Sequence, residues 1–224
     1  FTGSLTIPNS VTTMGGGAFS FCMNFTGLTL GSSLNTIGDL AFTLCACFTG
    51  SLTIPNSVTT IGVGAFFNCT GLNGSLTIGN NVTTIGEQAF QNCGFTGALT
   101  IGSDVTSIAL DAFSYCTGFT SITALPETPP TLGEDAFEDV PTSIPVYVPC
   151  PSLEDYQSAS GWSNFTNMQC FEALSVFDGT ATNGYVPVYG YYADAYLKAE
   201  FVQPAADLAA MNGATINGVT LYSS

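Results

Sequence analysis

The sequence predicts a mainly β solenoid of about six coils of 23–24 residues, closed by a C-terminal cap and followed by a short β-rich segment. Three observations carry this. An Ala-Phe pair recurs at Ala18-Phe19, Ala41-Phe42, Ala65-Phe66, Ala89-Phe90, Ala112-Phe113 and Ala136-Phe137, in steps of 23, 24, 24, 23 and 24 residues. A cysteine follows the first five Phe by three residues, at Cys22, Cys45, Cys69, Cys93 and Cys116, and Val140 takes that place in the sixth period. A strand signal keeps the same beat at Leu5-Thr6-Ile7, Leu28-Thr29-Leu30, Leu52-Thr53-Ile54, Leu76-Thr77-Ile78, Leu99-Thr100-Ile101 and, in altered form, Ile122-Thr123-Ala124. Self-similarity at such a period marks a repeat architecture.

Each period reads as one coil. Leu-Thr-Ile alternates apolar, polar, apolar, as a half-buried strand does. Turn-forming residues follow, at Pro8-Asn9-Ser10, Pro55-Asn56-Ser57, Gly79-Asn80-Asn81 and Gly102-Ser103-Asp104. A second apolar pair comes next, Val11 with Met14, Leu34 with Ile37, Val58 with Ile61, Val82 with Ile85 and Val105 with Ile108. Gly15, Gly38, Gly62 and Gly86 then mark places where the backbone is expected to bend, with Ala109 as the exception. The Ala-Phe-x-x-Cys segment turns the corner with Phe and thiol inward. One coil cannot bury its apolar face alone, but stacked coils share a continuous core. At ~4.8 Å per coil, six coils make a slab roughly 25–30 Å long.

The phrase Leu-Thr-Ile-Pro-Asn-Ser-Val-Thr-Thr-Ile-Gly, followed by Ala-Phe-x-x-Cys-x-x-Leu, resembles the BspA-like subfamily of leucine-rich repeats over residues 1–149. The resemblance implies a leucine-rich-repeat solenoid in a secreted or surface-attached bacterial protein. Members are associated with adhesion to host matrix or to other cells, so an extracellular protein or glycan is the implied partner. Because the chain opens on thirteen residues that recur at Phe48–Thr60, it reads as a processed chain or a fragment.

Residues 150–170 are expected to cap the stack. Ser152-Leu153-Glu154-Asp155 reads as a helix start with Ser152 as N-cap and acids in the first turn. The helix is expected to run to about Ser160 and stop at Gly161. Trp162 and Phe165 are placed to fold over the open end of the core, which a solenoid must cover. Cys150 and Cys170 flank this helix away from the cysteine ladder, and the extracellular setting makes a disulfide between them an expectation. From 171 to 224 tyrosines cluster at Tyr185, Tyr189, Tyr191, Tyr192 and Tyr196. That stretch resembles the opening of a β-sandwich module of Bacteroidales surface proteins; about 54 residues are half the ~100 such a sandwich takes.

Composition narrows function. The 224 residues carry 16 acids, one base (Lys198) and no His, for a net charge of −15. Without a row of Lys or Arg, nucleic-acid binding and attraction to an anionic membrane are excluded, and no apolar run reaches the ~18 residues of a spanning helix. Nucleophilic catalysis by Ser or Cys most often uses a His base, and only Lys198 could serve a Ser-Lys arrangement. Within residues 1–120 the acids Asp39, Glu87, Asp104 and Asp111 lie on different coils, and Glu134, Asp135, Glu138 and Asp139 read as a solvated edge. No catalytic, cofactor or metal site is therefore assigned. The repeat cysteines form a line, one per coil, rather than a metal-binding cluster. Bridges between coils are sterically conceivable, with buried thiols as small apolar fillers the plainer reading; Cys47 reads as an unpaired extra. The five sequons, at Asn24, Asn68, Asn73, Asn81 and Asn164, follow from composition.

The most regular surface feature is a threonine ladder: Thr6, Thr29, Thr53, Thr77, Thr100 and Thr123. On exposed strand positions these side chains would line a flat face at ~4.8 Å spacing. They read either as a binding face or as residues suited to a sheet surface, and an ice-ordering array is a third, thinner reading. The functional expectation is a binding or adhesion protein on a rigid scaffold, with a structural spacer or an accessory module of a larger secreted hydrolase as the alternative.

Overall fold

The computed structural model describes residues 2–171 together with 174–176 and 186–188. Contacts divide the chain into two compact units, Phe1–Cys170 and Phe171–Ser224. The first is a β-solenoid. Its first face carries β1 (Gly3–Thr6), β3 (Phe25–Thr29), β5 (Leu52–Thr53), β7 (Leu76–Thr77), β9 (Ala98–Ile101), β11 (Ser121–Ala124), β13 (Pro145–Pro149) and β14 (Asn167–Phe171). β1 pairs with β3, and the others form one sheet in the order β14-β13-β11-β9-β7-β5.

The second face was not foreseen as a sheet. β2 (Thr13–Met14), β4 (Thr36–Ile37), β6 (Thr60–Ile61), β8 (Thr84–Ile85), β10 (Ser107–Ile108) and β12 (Thr131–Leu132) form a six-stranded parallel sheet. Two residues per strand are too few to show alternation, so the sequence displays only an apolar pair. In register, Ile37 lies against Ile61 and Ile61 against Ile85.

The third face is the Ala-Phe turn. Its rings form one column: Phe19–Phe42, Phe42–Phe66, Phe66–Phe90, Phe90–Phe113 and Phe113–Phe137 stack with centroids 5.6, 5.0, 5.2, 5.4 and 5.2 Å apart. Offset stacking at this separation adds to the burial of each ring. The cysteines beside them stay thiols. Cys45, Cys69, Cys93 and Cys116 donate S–H to the carbonyls of Phe19, Phe42, Phe66 and Phe90, at 3.0, 3.2, 3.1 and 3.0 Å. Each thiol thus ties its coil to the preceding one, a role beyond filling space. Burial pushes the thiols of Cys45 and Cys116 up to about 12.

The glycines expected at bends serve a different need. A Cβ on Gly62 would lie 2.5 Å from Asp39 Oδ1 and 2.6 Å from Asp39 N, and one on Gly86 2.7 Å from the Gly62 backbone. Gly15, in the first coil, would meet nothing within 4 Å. The column is glycine because each coil lies directly against the one before it, not because of a sharp bend.

The cap differs in two respects from expectation. A 3₁₀ turn, Cys150–Ser152, leads into α1, Leu153–Ser158, so the helix ends two residues early. Ser152 makes no capping bond; its buried hydroxyl donates to the Glu127 carbonyl instead. The preceding 3₁₀ turn holds the Ser152 side chain against the last long loop rather than over the helix end. Gly161 sits at φ 80° and turns the chain into a second 3₁₀ turn, Trp162–Asn164. Trp162 and Tyr156 are fully buried; Trp162 Nε1 donates to Pro130 O at 2.9 Å and Tyr156 Oη to Pro126 O at 3.0 Å. Trp162 and Phe165 pack on Phe137, the last ring of the column, with centroids at 5.5 and 5.6 Å. Cys150 and Cys170 are bonded, with Cα atoms 4.6 Å apart, which joins the start of the cap to β14. In the second unit, β15 (Leu174–Val176) and β16 (Val186–Val188) pair antiparallel; the expected sandwich and the tyrosines Tyr185, Tyr189, Tyr191, Tyr192 and Tyr196 lie outside the described residues.

Candidate threonine face and acidic turn

The threonine ladder lies on the first face, held in line by backbone register. Thr6 pairs with Thr29, Thr53 with Thr77, Thr77 with Thr100 and Thr100 with Thr123. Thr6, Thr29 and Thr53 are exposed, and Thr77 and Thr100 half-buried. Thr123 departs from the expectation: it is 3% exposed, with Tyr147 beside it in register on β13. Thr123 itself is buried, so the open threonines are Thr6 and Thr29 on the β1–β3 pair and Thr53, Thr77 and Thr100 on the longer sheet.

A second threonine column gives the comparison that matters. Just before the second face, or at its edge in the last coil, Thr59, Thr83, Thr106 and Thr131 donate their hydroxyls to Asn35 O, Thr59 O, Thr83 O and Thr106 O, at 3.3, 3.2, 3.1 and 3.3 Å. Those hydroxyls are spent holding coil to coil. The hydroxyls of Thr6, Thr29, Thr53, Thr77 and Thr100 have no protein partner among the described residues. The first column shares its unspent hydroxyls with the register Thr13, Thr36, Thr60 and Thr84 on the second face, whose side chains also make no hydrogen bond among the described residues.

Sequence reasoning scattered the acids, whereas the structure gathers some of them. Asp111, Asp135 and Glu138 each place a carboxylate oxygen within 4.8 Å of the others. The signal was present in the period: 111 and 135 are one repeat apart and so occupy one column. Oxygen donors of this type suit hard cations, though exposed acidic groups come together on many surfaces without one. The Glu138 carboxylate raises the Tyr115 phenol, with Asp139 and Asp111 adding to the effect.

No helix among the described residues is long and apolar enough to cross a membrane. The family model for the BspA type leucine-rich repeat region matches residues 2–93 and 44–160, in six copies. A leucine-rich repeat protein from Bacteroides ovatus, known from its crystal structure, is similar at 16% identity; the match covers 76% of this chain and 73% of that one, with a TM-score of 0.22. Curated proteins give no match.

Proposed function

Because the chain belongs to the BspA-type leucine-rich repeat family, we propose that it is a secreted or cell-surface binding protein whose solenoid presents a rigid face to a protein or glycan. The observation that carries this is the threonines Thr6 and Thr29 on one strand pair and Thr53, Thr77 and Thr100 on the longer sheet, in register within each sheet, whose hydroxyls are not used within the described part of the fold. Hydroxyls are both donors and acceptors, which suits the hydroxyl-rich surface of a glycan or the backbone of a protein. A rigid sheet also loses little conformational entropy when it binds.

The chain has no His, the base that nucleophilic catalysis by Ser or Cys most often uses. A non-catalytic scaffold is the reading that follows. Binding of the 224-residue chain to arrays of glycans and extracellular matrix proteins tests it. Thr53→Val with Thr77→Val keeps the β-branched shape and removes two hydroxyls, so it should weaken any specific binding several-fold, about 1 kcal/mol per lost hydrogen bond. Unchanged binding by the double variant, or no binding at all by the native chain, defeats the proposal and favours a spacer.

A further inference from the structure

Each of the first five coils sends three backbone N–H groups from its Ala-Phe turn into the next coil. In the fourth coil Gln88, Phe90 and Asn92 donate to the carbonyls of Leu110, Ala112 and Ser114, at 2.9, 2.8 and 2.9 Å. In the fifth, Asp111, Phe113 and Tyr115 donate to Glu134, Ala136 and Glu138, at 3.1, 2.8 and 2.9 Å. The matching groups of the sixth coil are the N–H of Asp135, Phe137 and Asp139, and none has a protein acceptor among the described residues. The cap covers the Phe137 ring, but none of its described backbone carbonyls accepts from these three N–H groups. A cavity of about 280 Å³ opens there, with Asp135, Phe137, Glu138 and Asp139 on one side and Gly161 and Phe165 on the other.

We infer that this cleft docks a basic peptide segment, which continues the third face by one turn. Its carbonyls at every second residue take the three N–H groups, as Glu134, Ala136 and Glu138 do for the fifth coil. This is edge addition, in which main-chain hydrogen bonds hold an incoming segment on an open ladder. Charge selects the occupant. Asp135, Glu138 and Asp139 line the cleft, Asp111 and Glu138 stand within 4.8 Å of Asp135, and no Lys or Arg occurs in residues 1–170. Acids of one sign repel a free anion and attract Lys or Arg side chains. The chain's own Lys198 is a single base against these acids. The site lies on a different face from the threonine column and stands or falls separately from it.

The test uses the ¹⁵N-labelled 224-residue chain, in EDTA, with an acetylated and amidated Lys-Gly-Lys-Gly-Lys peptide and its Glu counterpart. The Lys peptide should shift the amide resonances of Asp135, Phe137 and Asp139 and slow their hydrogen exchange about tenfold, as new acceptors would. The Glu peptide should do neither. Asp135 and Asp139 lie at φ 54° and 60°, a conformation Asn also accepts, so Asp135→Asn with Asp139→Asn keeps the fold. It should weaken the Lys peptide about five- to tenfold, as the loss of two rim ion pairs implies. The inference is overturned by millimolar Lys peptide leaving these amides unmoved, by equal binding of the Glu peptide, or by full affinity in the double variant. It is overturned too if the three amides are already protected without peptide, for then the chain or a second copy fills the cleft.

Discussion

Glycine and cysteine columns show what stacking demands of single residues. At Gly62 a Cβ would lie 2.5–2.7 Å from Asp39 and from the Gly38 backbone, and backbone cannot step aside cheaply. Gly62→Ala should therefore cost about 1–3 kcal/mol, the usual penalty for overpacking. Gly15→Ala, with open space around it, should be neutral or slightly stabilising. Urea unfolding of the two variants checks the contrast, and equal costs would show that conformation rather than contact selects the glycine. The thiols give a second residue-scale prediction. Burial raises Cys45 and Cys116 from 9.0 to about 12, and burial also raises Cys93 and Tyr156. A raised folded value means that the native chain keeps protons the unfolded chain gives up. The stabilisation is whole below about pH 9 and drains as pH rises from 9 toward 12. Denaturant midpoints at pH 7, 9 and 10 should fall mostly in the last interval, and Cys116→Ala should make that fall shallower.

At the scale of elements, the cap is where local sequence signals and stacking part company. The Cys150–Cys170 bond closes a loop of sequence separation 20 around α1 and the second 3₁₀ turn. Loops of that size gain about 3 kcal/mol from closure, so Cys150→Ser with Cys170→Ser should lower stability by that order, measured by urea melts of the oxidised native chain against the double variant. No loss of stability would show the cap to be held by Trp162 and Tyr156 alone, through burial and their bonds to Pro130 and Pro126. The periodic parts of the fold were legible: Phe42, Phe66, Phe90 and Phe113 are buried where the Ala-Phe beat puts them. Three things were not. The second sheet hides in two-residue strands such as Thr60–Ile61. Ser152 has the residue type of a cap, yet its hydroxyl found a better acceptor in a loop 25 residues away. Thr123 shares the pattern of Thr6 but not its exposure, because burial there depends on β13 beside it, which a repeat pattern does not encode. Ends of a stack are set by what stands next to them; middles are set by the repeat.

Over the whole molecule, the unusual fact is charge without counter-charge. Residues 1–170 hold eleven of the 16 acids and no Lys or Arg, so the solenoid has no basic side chain of its own with which to offset repulsion. Its stability has to come from the core, whose Phe column, Ile pairs and thiols run unbroken from Ile7 to the Trp162 cap. Folding draws the acids together on a slab roughly 25–30 Å long at ~4.8 Å per coil. The Debye length is ~30 Å at 0.01 M salt and ~8 Å at 0.15 M. At the lower salt every acid on the slab senses most of the others; at the higher one only near neighbours such as Asp111, Asp135 and Glu138 interact. The unfolded chain spreads the same charges over a larger volume and gains less from screening. Sodium chloride raised from 0.01 to 0.15 M should therefore shift the urea midpoint upward with no change in slope, most of the gain arriving by 0.15 M. A protein with balanced surface pairs would respond weakly or in the opposite sense, since salt screens attraction as well. A flat or falling midpoint would mean that repulsion costs the solenoid nothing, and that its acids lie too far apart along the coils to act on one another.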